Sequence, residues 1–589
     1  MTSSGAVHVT TQRRHYAGKD GRERVYQTHL LRRSWREDGK VRNETVANLS
    51  KLPGETIELV RRSLAGEKFI PAGSGAAVDR SLPHGHAAAV HAMARKLGFP
   101  ALLGPPGPER DLAYALVVSR VLRPASKLST IGWWDDVTLG PDLGVAGASA
   151  DDAYAAMDWL VSRQDDIESE LARRHLREGG IAMSGLSSSW VEGTKCELAA
   201  RGYSRDGKRG RAQIEYGLLT DKDGRPVAIR VFAGNTSDPT AFPEAVTAVR
   251  QMFGLATMVM VGDRGMITTA RVKDLKKLDG MAWITCLRHP AIKKLMAGDG
   301  PLQLSLFDEQ DLAEITSDDF PGERLIACRN PVLAGQRART RESMLAATEQ
   351  DLGKLAAQVA AGRLKDPGKI ALRAGRVLNK RKMAKHIRPA IGDKSITWER
   401  DQASIDAEAA TDGIYVIRTP VPEDALGAAA TVAAYKDLKH VERDFRSIKA
   451  DDLDLRPIWH RLEDRVRAHV LICMLACYLT WHLRKAWAPL TFTDEHPPAR
   501  ANPVTPARRS ASAEAKASRK TGPGKQPVRS FRDLLDHLAT LTRNDMRYGH
   551  AVVPALAEPT PDQRRAFDLI GTTIPLTLTL TLTLTLTTT

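Results

Sequence analysis

Four side chains, one of them far from the other three in the chain, are of the types that phosphoryl-transfer chemistry uses. Asp263 follows the short apolar run TMVMVG, and Glu442 lies between Tyr435 and Lys449 in TVAAYKDLKHVERDFRSIKA, residues 431–450. Carboxylates brought within a few ångströms hold divalent cations, which activate an attacking oxygen and stabilise a leaving one. A lysine and a tyrosine nearby suit contacts to phosphate. Residues 431–450 contain no Gly or Pro and predict one helix. On that helix Tyr435, Glu442 and Lys449 recur at i, i+7 and i+14, with Leu438 beside the stripe and Val432, Val441, Phe445 and Ile448 as apolar anchors. A solvated charged face has the same pattern, so the stripe alone leaves both readings open.

The elements that must position these residues begin near Ile181. IAMSGLSSSW, RAQIEYGLLT and RPVAIRVFAG read as strands, the last two joined by the turn Asp221-Lys222-Asp223-Gly224. A helix, the strand ending at Asp263, a second helix and the strand AWITCLR follow, which makes a mixed α/β sheet. Asp263 then stands just past the carboxyl end of its strand, where such sheets place their sites. GIYVIRTP resumes the sheet after a long insertion, and RLEDRVRAHVLICMLACYLTWHL is an amphipathic helix that packs on the core. Its apolar run, residues 470–481, is too short for a membrane span.

The predicted organisation is a β-rich basic region at 1–80 and a helical connector or DNA-binding domain at 84–176. The first half of the α/β core spans 181–289, a basic insertion 290–412, and the second half of the core 413–490. A disordered basic linker at 500–530, a helical region at 531–570 and a low-complexity tail at 576–589 complete the chain. Asp38-Gly39 predicts a hairpin turn in the first region, whose Arg24, Arg32, Arg33, Arg36, Lys40 and Arg42 make it basic. The insertion carries ten Lys/Arg against the single acid Asp366 between residues 363 and 388, including Lys380, Arg381, Lys382 and Lys385. That density suits a DNA backbone, with a charged helical hairpin as the alternative. LTLTLTLTLTLTTT alternates perfectly but has no charge, and no packing partner is expected for it.

Composition sets the broad class. The 589 residues carry 86 Lys+Arg against 70 Asp+Glu, a formal +16, which favours a polyanionic partner over a small neutral substrate. Five cysteines, an odd number in so long a chain, argue against a disulfide framework and for a reducing compartment. His469, Cys473 and Cys477 share a helix face, but ligands stacked along one helix rise about 12 Å and cannot surround one ion. The first twenty residues lack the apolar segment of a signal peptide.

Taken in order, the motifs resemble one family. Tyr435-x-x-Leu438-x-x-x-Glu442-x6-Lys449 is similar to the Y-x2-R-x3-E-x6-K signature of bacterial insertion-sequence transposases of the DDE type, in the branch with a long insertion before the glutamate. VGDRGMIT resembles the family's second-acid motif, residues 202–239 its block between first and second acids, and RPIWHRLEDRVRAHVLICML the segment after the glutamate. NETVANLSKLP near the N-terminus adds to the likeness. The resemblance implies an RNase H-like catalytic core, dependence on Mg²⁺ or Mn²⁺, and cut-and-paste transposition. In the scheme the resemblance implies, water cleaves at the transposon end and the freed 3′-OH attacks target DNA. Asp263 and Glu442 carry over as metal-binding catalytic acids, and Tyr435 and Lys449 as DNA contacts. The implied partners are terminal inverted repeats and target DNA, with a homodimer in the synaptic complex, in the bacterial cytoplasm at the nucleoid.

Two positions depart from the family pattern. Leu438 stands where the signature has Arg, which removes a phosphate contact unless Lys436 or Lys439 supplies it. The family's first acid falls at Gly185, which has no ligand atom, and Glu192 and Asp206 lie too far along the chain to replace it. Catalysis by this copy is therefore expected to be impaired. The alternative readings are a catalytically inactive, transposase-derived DNA-binding protein and a metal-dependent nuclease of another type.

Overall fold

The computed structural model describes all residues except 1–5, 18–22, 38–39, 68–75, 299, 499–501, 523–525, 549 and 581–589. The chain forms two compact units, residues 1–81 with 543–557, and residues 82–542 with 558–589. In the first, β1 (Ala6–Ala17), β2 (Glu23–Glu37) and β3 (Lys40–Asn48) form an antiparallel sheet in that order, with Val9 opposite Leu31. The turn expected at Asp38-Gly39 lies outside the described residues. Helix α1 (Gly54–Leu64) buries Ile57. β4 (Ala76–Pro83) joins a second sheet with the late hairpin Thr542–Tyr548 and Ala551–Leu556. That hairpin replaces part of the helical region expected at 531–570, because its two strands pair with each other and, through the first, with the distant strand β4.

The second unit is built around an eight-stranded sheet. Helices α2 (Gly85–Lys96), α3 (Pro108–Leu122), α4 (Ala150–Ser162) and α5 (Gln164–His175) precede it. Then come β5 (Ile181–Trp190), β6 (Gln213–Asp221), β7 (Pro226–Ala233), β8 (Met258–Val261), β9 (Met281–Cys286), β10 (Leu312–Ile315) and β11 (Arg324–Arg329). Helices α6 (Pro331–Ala360) and α7 (Pro367–Lys380) and the ribbon β12 (Ile387–Ile391) and β13 (Ile396–Arg400) form a module with its own small core, before β14 (Ile414–Thr419) returns to the sheet.

The spatial order of the sheet is β10-β11-β14-β9-β8-β5-β6-β7. β5, β6 and β7 form an antiparallel meander, while β8 and β9 run parallel to β5. Three antiparallel strands followed by two parallel ones, in the order 3-2-1-4-5, are the RNase H-like arrangement. Every residue of β6 except Gly217 is buried, as the inner position of the strand requires. β10 and β11, expected within the insertion, instead extend this sheet through β14. Their apolar sequences LAEI and RLIACR give them an inward face to bury.

Helices α8 (Ala428–Lys436), α9 (Leu438–Arg446) and α10 (Glu463–Ala486) follow. α10 is long and apolar enough to cross a bilayer, but 83% of its most apolar window is buried inside the protein against neighbours that include α2, α3, α4 and β7. Burying a Leu or Ile side chain contributes about 1.5–3 kcal/mol, so this helix ties the helical region to the sheet.

Two C-terminal expectations fail. The 500–530 stretch carries helix α11 (Ala511–Arg519), capped by Ser510 Oγ and anchored by buried Lys516, whose Nζ donates to Ala488 O at 2.9 Å. Val504 is fully buried, so composition alone misread this stretch as a solvated linker. The start of the Leu/Thr tail also has partners: Leu578 is buried, and its N–H donates to Asp142 Oδ2 at 2.8 Å.

Candidate active site

The site forms where β5, β8 and α9 meet. β5 and β8 pair in parallel with Met183 opposite Val261. Gly185 and Asp263 each stand two residues further on, at the same level of neighbouring strands. Past β8 the chain turns sharply, and Asp263 Oδ1 fixes the turn by accepting the N–H groups of Gly265 at 3.0 Å and Met266 at 2.8 Å. Asp263 remains exposed.

Helix α9 lies across β5 with Val441 and Phe445 toward the sheet. A Cβ built on Gly185 would stand 2.7 Å from Val441 Cγ1 and 2.9 Å from Phe445 Cε2. Glycine is what permits so close an approach of helix and strand. Glu442, next to Val441, is exposed and makes no ion pair among the described residues. Asp263 and Glu442 thus lie on the two elements beside Gly185, the first just past β8 and the second on α9.

The helix expected over 431–450 is divided. Asp437 interrupts it between α8 and α9, and residues 447–451 continue as a π-helical turn. Tyr435 therefore belongs to a different helix from Glu442. Burial, with the Cys286 thiol and the Asp263 carboxylate beside it, raises the pKa of its hydroxyl well above the usual value. Lys449, on the π-helical turn, is buried; its Nζ lies 3.0 Å from Asp206 Oδ1, which Arg456 Nη1 also meets at 2.5 Å. Desolvation lowers the Lys449 pKa despite that partner.

The positions around the signature are also accounted for. Leu438 packs half-buried against the core, Lys439 pairs with Asp437 at 3.2 Å, and Lys436 donates to the carbonyls of Val504 and Thr505. Glu192 is ion-paired with Arg211 at the far end of β5, and Asp206 with Lys449 and Arg456. Both acids are committed elsewhere. In the insertion, Lys380 and Arg381 pair with Asp351 and Lys385 with Glu408, while Lys382 is exposed at a left-handed φ of 57°.

A feature that the sequence did not announce lies on the opposite flank of α9. A cleft of about 860 Å³ is lined by His440, Asp444, Asp452, Thr480 and Arg484, among others. Burial raises the Asp444 carboxyl to about 7 and lowers His440 to about 4. Asp444 Oδ2 and Thr480 Oγ1 are buried without a hydrogen-bond partner. Asp444 is two residues from Glu442 and reads in sequence as one more charge on a charged helix.

Comparison with known families decides the assignment. Residues 17–72 match the N-terminal domain of IS1634 family transposases, and residues 187–480 match the transposase DDE domain. The chain belongs to the insertion-sequence DDE transposases. It is a DNA transposase, a phosphoryl-transfer enzyme, and its partner is DNA. Its fold is also similar to the structure described as a piggyBac transposase synaptic complex with hairpin DNA, at 10% identity and a TM-score of 0.33, covering 77% of this chain and 76% of that one. No curated protein matches the chain.

Transposase DDE domains depend on divalent metal ions. The residues of this transposase do not supply a full set of ligands for them. Among the described residues no group of three or more His, Cys, Asp or Glu side chains could hold a metal ion. Asp263 and Glu442 are present and exposed, but the strand between them offers only the Cα of Gly185, closed over by Val441 and Phe445.

Proposed function

We propose that this transposase recognises the ends of its element and cleaves them very slowly, because Gly185 stands in place of the first acid. Asp263 and Glu442 are the two acids retained for Mg²⁺ or Mn²⁺ in a homodimeric synaptic complex; Tyr435, half-buried, and Lys449, buried against Asp206, support the end-binding surface from beneath it. Lys380, Arg381, Lys382 and Lys385 of the insertion contribute to backbone contacts. The observation that carries this reading is the packing of Val441 and Phe445 onto Gly185, which leaves no room there for a ligand atom. Removing one carboxylate of a set leaves the metal poorly held and the nucleophile poorly placed. It leaves the phosphate-binding surface untouched, so binding and cleavage separate.

The test measures both on terminal inverted-repeat duplex. Anisotropy titration reports salt-dependent binding, and a Mg²⁺ or Mn²⁺ time course reports strand cleavage. Binding with cleavage at or near the background rate supports the proposal. Cleavage by the unmodified protein at a rate ordinary for an active transposase would show that another acid completes the site.

A further inference from the structure

The two most exposed aromatic side chains of the sheet-bearing unit are Tyr203, at 80%, and Trp459, at 70%. Leaving so much aromatic surface in water forgoes its burial energy, and two such rings on backbone held at one strand end are a candidate contact surface. Both stand on backbone anchored at the carboxyl end of β5. Ile458 N donates to Trp190 O at 3.0 Å, and Glu192 N donates back to Ile458 O at 2.8 Å, which fixes the residue before Trp459. The Tyr203 carbonyl accepts from Gln213 Nε2 at 3.1 Å, and Arg205 N donates to Ser188 Oγ at 3.0 Å. A Cβ on Gly202 would fall 2.1 Å from Gly234 O, so the chain beside Tyr203 is held against the sheet.

Cations lie over Tyr203 and over Trp190, the residue whose carbonyl anchors Ile458. Arg205 lies over Tyr203 at 5.7 Å, and Lys208 and Arg456 lie over the Trp190 ring at 5.3 and 5.2 Å. Of the local acids, Glu192 is paired with Arg211, Asp206 with Lys449 and Arg456, and Glu215 with Arg205, which leaves the exposed Glu197. Arg201, Lys208, Arg209 and Arg461 make no ion pair among the described residues and are exposed. The surface is therefore net positive with rings standing free, which fits a polyanion that can offer a π-face. Duplex DNA hides its base faces in the stack; an unpaired strand does not.

We propose that Tyr203 and Trp459 form a stacking platform for the unpaired bases of a DNA strand at the element's end, tracked by the cations of residues 201–211. This rests on the end-binding reading above. The experiment uses the full chain and two probes of the same end sequence, one blunt and one with a short unpaired 3′ tail, both titrated at one salt concentration. The unmodified protein should bind the tailed probe more tightly. Tyr203→Ala and Trp459→Ala should each remove about tenfold of tailed-probe affinity, about 1.4 kcal/mol, and leave blunt-probe affinity unchanged. Tyr203→Phe and Trp459→Phe keep a ring and should retain most of the advantage. A tail advantage that is absent, or that survives both alanine substitutions, overturns the platform while end binding stands. Failure to bind either probe overturns both readings. A change of oligomeric state on Trp459→Ala, with tail affinity intact, would reassign the surface to a second copy of the chain and also overturns the platform.

Discussion

Lys449 Nζ stands 3.0 Å from Asp206 Oδ1, with a lysine side chain 11% exposed and a carboxylate 2% exposed. Lys449 is thus held by an acid from the loop after β5, and that acid also carries Arg456. Asp206 Oδ2 remains buried and unpartnered, so the carboxylate serves these cations through one oxygen.

The consequence for stability is asymmetric. Asp206→Asn leaves Lys449 buried without an anion and should cost about 3 kcal/mol, as breaking one side of a buried pair does. Lys449→Met keeps the volume and leaves Asp206 paired with Arg456, so it should cost roughly half as much. Urea unfolding of both variants measures the difference. Equal losses would show that Arg456 does not sustain Asp206 alone.

Replacing Gly185 is a packing problem before it is a chemical one. An aspartate there places Cβ 2.7 Å from Val441 Cγ1, and a β-branched side chain on a helix has little rotamer freedom with which to yield. Overpacking of this kind costs about 1–3 kcal/mol. Gly185→Asp should therefore lower the melting temperature and restore little cleavage, whereas Gly185→Asp with Val441→Ala should recover stability and show metal-dependent cleavage of end DNA. Adding Glu442→Ala should abolish that gain. Full restoration by Gly185→Asp alone would mean that α9 moves freely off β5.

Much of this site was legible in the chain. The buried run before Asp263, the turn at Asp221–Gly224 and the amphipathic segment around Val441 and Phe445 each follow from local pattern, and together they imply a mixed α/β sheet, while its RNase H-like character followed from the family resemblance. What was not legible depends on partners distant in sequence. Nothing in residues 431–450 marks Asp437 as a break, since no Gly or Pro is present. The cations of residues 363–388 are as dense as the sequence shows, but Asp351 and Glu408, which pair with Lys380, Arg381 and Lys385, lie outside that window. Val504 and Leu578 are buried by surfaces formed elsewhere, so their polar or repetitive surroundings misled.

Those ion pairs sharpen what the insertion should do on DNA. Removing one cation that neutralises a phosphate flattens the slope of log K against log salt by about 0.9. Lys382 is exposed with no ion pair among the described residues, so Lys382→Ala should show the full change if α7 follows the backbone. Lys380→Ala with Arg381→Ala should flatten it by less than twice that amount, because Asp351 already offsets their charge. A slope unchanged in all three positions removes this segment from the DNA path.

Asp444 makes the stability of the fold depend on pH in a direction opposite to that of the buried histidines. Burial holds its carboxyl at about 7 against 3.8 for an unperturbed aspartate, with Arg443 at 3.6 Å only partly offsetting the loss of water. Between those values the folded state binds a proton that the unfolded state has released. Stability from this group is thus complete below pH 3.8 and is lost as pH rises toward 7, at up to about 1.4 kcal/mol per pH unit. His86 and His91 are lowered to about 4 by burial, so the unfolded state binds the proton first and their contribution falls as pH drops from 6.5 toward 4. Asp444→Asn removes only the first effect. It should leave stability nearly unchanged at pH 4 and raise it by about 2 kcal/mol or more at pH 8, read from urea midpoints at the two pH values. A uniform shift at both pH values would mean that Asp444 is ionised in the folded protein throughout, with Arg443 and Arg484 holding it charged beside the cleft.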